Sequence, residues 1–323
     1  MIPICSENFS AQPRLIFMGT PDFSVPTLQS LIENRQQVLA VVTQPDRPKG
    51  RGKQISASPI KETARKHGLT VLQPEKASQE LFCEQIKALA PDLIIVIAYG
   101  QILKKNLLAI PKWGVVNIHA SLLPKYRGAA PIQWAILNNE TLTGLTVMQV
   151  DEGLDTGPIL DRTEVPILPD ETGGSLHDRL ALKAGEVMIK WLRETAGHCV
   201  QGRPQDQAES TYAPKIEREL ARVDWQKPAE AVNALIRGLD PKPGAYTTFA
   251  GQELKLFASR VQDAPTPGCV PGRVKGNQTE GLPVETAQGT VVIREVQYPG
   301  KKRMGAVEFL RGFGIPVGTL LGR

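Results

Sequence analysis

The 323 residues predict an α/β fold, a mostly parallel sheet with helices on both faces, followed by a smaller β-rich domain. Three observations carry this. In the first two thirds, short runs rich in Val, Ile and Leu alternate with segments of helical period, the pattern of βαβ units around a buried sheet. Past Ser210 the pattern changes to short strands paired around Gly-containing turns. The charge divides at the same place. Up to Ser210, 22 Lys+Arg balance 22 Asp+Glu, and from Thr211 onward 16 stand against 11, so the whole +5 excess lies in the last third. A basic appendage on a neutral body suggests a polyanionic partner.

Length fits two domains. No apolar run approaches the roughly 20 residues that span a bilayer; LIIVIAY, residues 93–99, has core-strand length. The start, MIPICSENFSAQP, has no basic residue before Arg14 and no long apolar stretch. It resembles neither a signal nor a transit peptide, and residues 1–13 are expected to be a disordered extension. The four cysteines are scattered with no CxxC spacing, which argues against a zinc site and a disulfide framework and fits a reduced, cytoplasmic setting.

The strands follow in order: RLIFMG (14–19), VLAVVT (38–43), DLIIVIAYG (92–100), VVNIHA (115–120) and LTVMQV (145–150). A helix is expected over 26–34. In SPIKETARKHG, Ser58 can cap, Pro59 suits the first helical position and Gly68 can terminate. A further helix fits 175–193, with Ser175 and Asp178 in a capping-box pattern and Leu176, Leu180, Ala184, Val187 and Trp191 on one face. These place the first domain at 14–196. Residues 197–210 are polar and aperiodic and read as a linker. In 211–323, a helix over 228–238 precedes two hairpins. YTTF and LKLFASRV flank AGQ, LPVET and TVVIREVQY flank AQG, and GAVEFLRG closes the set.

Ligands of open α/β sheets bind outside the carboxyl ends of the strands. There, Asn117 and His119 project from the same side of VVNIHA. Polar residues ending a buried strand either bond to loop backbone or do chemistry. The next strand runs into DEGLDTG, which offers Asp151, Glu152 and Asp155 between glycines. Asp151 and Glu152 read as turn formers, whereas Asp155 within reach of His119 would orient the imidazole. An amide, an imidazole and a carboxylate at strand ends suit acyl transfer to an amine. Asn117 and protonated His119 could donate to the oxyanion, and Asp155 could take a proton from the amine.

NIHASLLPKYRGAAPIQWAI together with DEGLDTG resembles the folate-dependent formyltransferase family. The resemblance implies catalytic roles for Asn117, His119 and Asp155. It implies that the turn Ser121, Leu122, Leu123 and Pro124 binds the donor, 10-formyltetrahydrofolate; with His67 and His177 in helix-like segments without clustered ligands and His198 in the linker, no metal site is expected. MGTPDFSVPTL, TQPDRPKGRGK and GKKRMGAVEFLRG are further similar to the branch of that family that formylates the amino group of initiator methionyl-tRNA. That similarity implies a Rossmann-like first domain and a basic, OB-like β-barrel that holds the tRNA. It implies tRNA contacts at Arg47, Lys49, Arg51 and Lys53 in the first domain and at Lys301, Lys302 and Arg303 in the second. A monomer is expected, because no heptads occur.

Two stretches keep alternatives open. QPDRPKGRGKQ, residues 44–54, is longer than the roughly two to six residues that usually join a strand to its helix. Its cations suit phosphates, and its glycines allow ordering on binding. MGTPDF lacks GxGxxG, so no NAD site is expected; the turn either lines the acceptor's side chain or simply leads into its helix. Two rival functions remain at this stage, a formyltransferase for a small amine and a non-catalytic RNA-binding protein.

Overall fold

A computed structural model describes residues 2–3, 12–49, 54–262, 268–276 and 279–322. Most of the expected extension 1–13 and the loop positions Arg51 and Lys53 lie outside the described residues. Two compact units emerge. One comprises 1–128, 143–165 and 177–212, and the other 129–142, 166–176 and 213–323.

The first unit is built on a seven-stranded sheet. Its strands are β1 (Arg14–Gly19), β2 (Gln37–Val42), β5 (Val71–Leu72), β6 (Leu93–Ile97), β7 (Val115–His119), β8 (Leu142–Gln149) and β9 (Ile159–Pro166), in the order β9-β8-β7-β6-β1-β2-β5. From β7 to β5 all pairs are parallel, and β8 runs antiparallel to β7. The parallel strands are apolar on both faces because both are covered: Leu15, Ile16, Phe17, Met18 and residues 93–95 are fully buried. The helices α1 (Val25–Glu33), α2 (Pro59–Lys66) and α3 (Glu80–Ala88) connect them. Ser58 caps α2 as expected, its Oγ accepting from Lys61 N at 3.1 Å. The chain leaves β1 toward β2 and later returns to β6 on the other side of β1, which puts a topological switch between β1 and β6.

The 44–54 stretch is less open than its composition suggests. Its arms pair as a hairpin, β3 (Arg47–Lys49) with β4 (Gln54–Ser56), in the register Arg47↔Ser56. Residues 201–212 are likewise ordered against the first unit. Ile159 and Arg203 form a bridge, Asp206 caps a short turn, and Gln205 is buried.

The long helix α5 (Gly173–Thr195) begins two residues before its expected start. Thr172 Oγ1 accepts from Ser175 N while Ser175 Oγ accepts from Thr172 N, so the reciprocal cap sits one turn earlier than the Ser175/Asp178 pattern. Gly173 and Gly174 are tolerated there because backbone approaches closely. A Cβ on Gly173 would stand 2.3 Å from Gly238 O, and Gly174 N donates to Asp240 O at 2.8 Å. Its predicted face is buried throughout, from Leu176 to Trp191.

The second unit packs α4 (Pro131–Leu137) and α6 (Ala229–Gly238) with an antiparallel sheet. The sheet's strands are β10 (Ala245–Phe249), β11 (Gln252–Gln262), β12 (Leu282–Glu285), β13 (Thr290–Gln297) and β14 (Met304–Gly305). Their order is β10-β11-β13-β12 with β14 also on β13, and α7 (Ala306–Phe313) follows. Both expected hairpins are present; Ala250 and Gly251, at φ 49° and 72°, make the two-residue turn that a twisted hairpin favours. The expected OB-like closed barrel is not what the ladders form: among the described residues no ladder joins β12 to β10. Irregular backbone spans that gap instead, with bonds such as Glu285 N to Arg273 O and Leu321 N to Gly272 O. Val274 bridges Val284, Arg273 bridges Leu320, and Gly322 N donates to Thr248 O.

Candidate active site

Strand β7 ends at the carboxyl edge of the sheet, where alternation puts Asn117 and His119 on one face. His119 is 6 % exposed and Asn117 half-buried. His119 Nε2 lies 2.8 Å from Tyr126 O. A carbonyl only accepts, so Nε2 carries the proton and the tautomer is fixed from that side. Nδ1 then faces Asp155 Oδ2 at 3.6 Å, too far for a hydrogen bond and close enough for a charge pair. Asp155 Oδ2 accepts from Gly128 N at 2.9 Å. The three predicted residues thus come together as a pair, His119 with Asp155, and a neighbour two positions along β7. The Asn117 side chain enters no hydrogen bond among the described residues.

The turn after β7 is held by Thr146 of β8, which sits opposite His119 in the ladder. Its hydroxyl donates to Ser121 O at 2.6 Å and accepts from Leu123 N at 3.0 Å. Ser121 Oγ closes the turn on Lys125 O at 2.6 Å, and Leu123–Pro124 is cis. Thr146 was not legible beforehand, because nothing in LTVMQV says which neighbour its hydroxyl meets. Of the other acids of DEGLDTG, Asp151 does what a turn requires: its Oδ1 accepts from Gly153 N, and Thr156 Oγ1 lies within bonding distance of both of its oxygens. Tyr126 supplies its carbonyl to His119, and Arg127 is buried.

At the same carboxyl edge of the sheet, a cleft of about 790 Å³ opens over the ends of β1, β2 and β6, at the topological switch; Asn117, His119 and Asp155 do not line it. It is lined by the MGTPDF turn (Thr20, Pro21, Asp22), the root of the hairpin (Arg47, Pro48, Ser56) and the segment after β6. Its floor is polar. Thr20 Oγ1 donates to Tyr99 O, Gln44 Nε2 donates to the same carbonyl, and Gln101 Nε2 donates to Gln44 Oε1. The hairpin root is tied down by the ion pair of Asp46 with Lys61 on α2, with Gln73 Nε2 donating to Asp46 Oδ1 at 2.9 Å. The Lys61 ammonium beside it holds the Asp46 carboxyl below the usual carboxylate range, assisted by Gln73. Arg47 is exposed on this hairpin.

In the second unit the three basic residues near the end differ in surroundings. Lys301 and Lys302 are exposed. Arg303 Nη1 and Nη2 lie 2.6 and 3.0 Å from the Asp240 carboxylate, its Nε bonds Glu295, and its guanidinium sits 4.2 Å over the Phe257 ring. No helix among the described residues is long and apolar enough to cross a membrane, and no group of three or more His, Cys, Asp or Glu among them could hold a metal.

A family model described as "Formyl transferase" matches residues 13–192, and "Formyl transferase, C-terminal domain" matches 215–314. The methionyl-tRNA formyltransferase of Geotalea uraniireducens is 48 % identical over 311 residues, covering 96 % of this chain and 98 % of that protein. Among solved structures, HypX from Aquifex aeolicus in complex with tetrahydrofolic acid aligns with 95 % of this chain at a TM-score of 0.63 and 20 % identity. The chain spans 48 % of HypX. The methionyl-tRNA formyltransferase from Clostridium thermocellum aligns with 88 % of this chain and 97 % of its own at 0.56 and 17 %. Matched over most of its length by both models, and nearly half identical to a full-length relative, the chain belongs to the formyl transferase family.

Proposed function

We infer that the protein is a formyltransferase that moves the formyl group of 10-formyltetrahydrofolate to the α-amino group of initiator methionyl-tRNA, giving N-formylmethionyl-tRNA for translation initiation. Near-full-length identity with a methionyl-tRNA formyltransferase carries this reading. The donor is a substrate, so the protein's task is to orient it, to stabilise the tetrahedral intermediate and to move one proton.

The site residues suit that task. In our reading the amine attacks the formyl carbon, and the carbonyl oxygen gains negative charge. Asn117 donates to it through an amide that enters no hydrogen bond among the described residues. With Nε2–H held by Tyr126 O, a protonated Nδ1 can be balanced by Asp155 at 3.6 Å while its N–H stays available to the oxyanion. Gly128 N–H occupies Asp155 Oδ2 and leaves Oδ1 to take the amine proton, directly or through water. Collapse breaks the bond to the donor nitrogen, which takes up a proton as it leaves. Ser121, Leu122, Leu123 and Pro124, fixed by Thr146, wall the donor. The cleft between the MGTPDF turn and the hairpin root receives the aminoacylated end of the acceptor.

Arg47, Lys49, Arg51 and Lys53 would then meet acceptor-stem phosphates, and exposed Lys301 and Lys302 would hold the tRNA body. Arg303 serves this surface by bracing it through Asp240 and Glu295. Within the second unit, Val274–Val284, Arg273–Leu320 and Gly322–Thr248 support an OB-like barrel whose last seam is closed by irregular segments rather than by a ladder. A monomer acting in the cytoplasm completes the reading.

The test is a formyl-transfer assay with 10-formyltetrahydrofolate against charged initiator tRNA, charged elongator tRNA and a small amine such as an amino sugar. Formylation of charged initiator tRNA far above the other two is expected. Efficient turnover of the small amine with none of methionyl-tRNA would sink the reading.

A further inference from the structure

We propose that Gln205 and Thr211 are positioning residues, which hold the backbone on which the geometry of Asp155 and His119 depends. This rests on the reading of that pair as the proton-handling groups. Both residues lie in or beside the stretch that composition marks as a linker, and neither touches a substrate.

Asp155 sits at φ 54°, a left-handed conformation that Asp tolerates better than most residues with a Cβ and that its surroundings here hold in place. The group that holds it is the Gln205 carboxamide. Its Nε2 donates to Asp155 O and to Gly157 O, both at 2.8 Å, so it straddles the peptides around Thr156. Its Oε1 accepts from Arg127 Nε at 3.0 Å and Nη2 at 2.7 Å. Both donors and both lone pairs are thereby used, and the residue is 8 % exposed. The loop is pinned from the other side as well, because a Cβ on Gly157 would stand 1.9 Å from Gln149 O. With its backbone held from both sides, Asp155 keeps Oδ2 on Gly128 N and facing His119.

His119 depends on Tyr126 O, and Tyr126 is also left-handed, at φ 62°. Thr211 fixes that peptide. Its Oγ1 accepts from Tyr126 N at 2.8 Å, and its carbonyl accepts from Arg127 N at 2.9 Å. Arg127 ties the two supports together, since its guanidinium also reaches Gln207 Oε1 at 2.8 Å. One segment, 205–211, therefore holds both left-handed residues that present the pair.

The experiment uses the full chain with Gln205→Glu, Thr211→Val and Thr211→Ser. Glutamate keeps the size of the side chain and its pairing with Arg127, but it has no N–H for the carbonyls of Asp155 and Gly157. Displacing a reacting group by about 1 Å can cost on the order of 10²-fold. Gln205→Glu and Thr211→Val are expected to lower kcat by about 10- to 100-fold, with KM for the donor and for methionyl-tRNA within about twofold. Thr211→Ser, which keeps the acceptor oxygen, should restore most of the loss. Independently of turnover, ¹H–¹⁵N spectra should show the His119 Nε2 proton in the wild type and in Thr211→Ser and lose it in Thr211→Val. Unchanged kcat in both impaired variants, or KM values that rise together with a lowered melting temperature and no rescue by serine, would overturn the proposal. A wild type that formylates nothing would defeat the functional reading alone, and the imidazole spectra would still decide the positioning role.

Discussion

His119 shows how much one side chain owes to its surroundings. Its place beside Asn117 follows from strand alternation, yet the nitrogen that faces Asp155 is decided by Tyr126 O, seven residues on. Asn117→Ala should lower single-turnover formyl transfer by about 10²–10³-fold, the usual cost of losing a transition-state donor, and Asp155→Asn by about 10²–10⁴-fold, the usual contribution of a general base. Filter binding of methionyl-tRNA should change little; an equal loss of tRNA affinity would point to structural damage. Tyr99 supplies a second test. Its ring is 2 % exposed, its hydroxyl has no hydrogen-bond partner among the described residues, and burial pushes its pKa up to about 12. A buried hydroxyl without a partner costs more than it returns, so Tyr99→Phe should keep or raise the melting temperature at neutral pH. The folded state disfavours the phenolate, so wild-type stability declines as pH rises past the unfolded value of about 10. Melts on either side of that pH should show the variant lacking this component.

The hairpin was visible as composition but not as structure. A charged, Gly-rich insertion reads as an open loop, whereas its arms pair and its root is bound to α2. Alternation gives no warning in so short a strand with a proline in it; Lys61 and Gln73, distant in sequence, set the anchor. Replacing Arg47, Lys49, Arg51 and Lys53 together should flatten the salt dependence of tRNA binding by about 3–4 units of slope. Transfer to a small surrogate amine should survive. Asp46 is held below its ordinary pKa, first by Lys61 and then by Gln73. Its contribution is therefore present above the unfolded carboxylate value and is lost as pH falls through the lower folded value. Asp46→Asn should speed amide exchange at Arg47 and Lys49 at neutral pH, and the wild type should show the same loosening only in acid. Equal exchange in the two proteins at neutral pH would dismiss the anchor.

On the scale of the molecule, the compact units do not follow the boundary that composition suggests. Residues 129–142 and 166–176, within the catalytic stretch of the sequence, belong with 213–323. In that unit α4 buries Ile132, Ala135 and Ile136 and packs with α6, where a Cβ on Gly238 would lie 3.2 Å from Leu137 Cγ. A chain ended at residue 212 would keep α4 and lose the partner of its apolar face. Such a fragment should bind a hydrophobic dye, aggregate at concentrations the full chain tolerates and melt at lower temperature. A fragment as soluble and as stable as the full chain would show that α4 needs no cover.

By itself the sequence determined the strands that make up the sheet, the hairpins of the second unit, the candidate residues Asn117, His119 and Asp155 as a set to look for, and the family. Those rest on periodicity, turn chemistry and motif, which are local. Tertiary structure decided how Thr146, Tyr126, Gln205 and Thr211 support the pair, that Arg303 is engaged by Asp240 and Glu295, and where α5 caps. Each depends on a hydrogen-bond partner or a close backbone approach from elsewhere in the chain. A residue's type fixes what bonds it can make, and only the fold brings the partner within 3 Å.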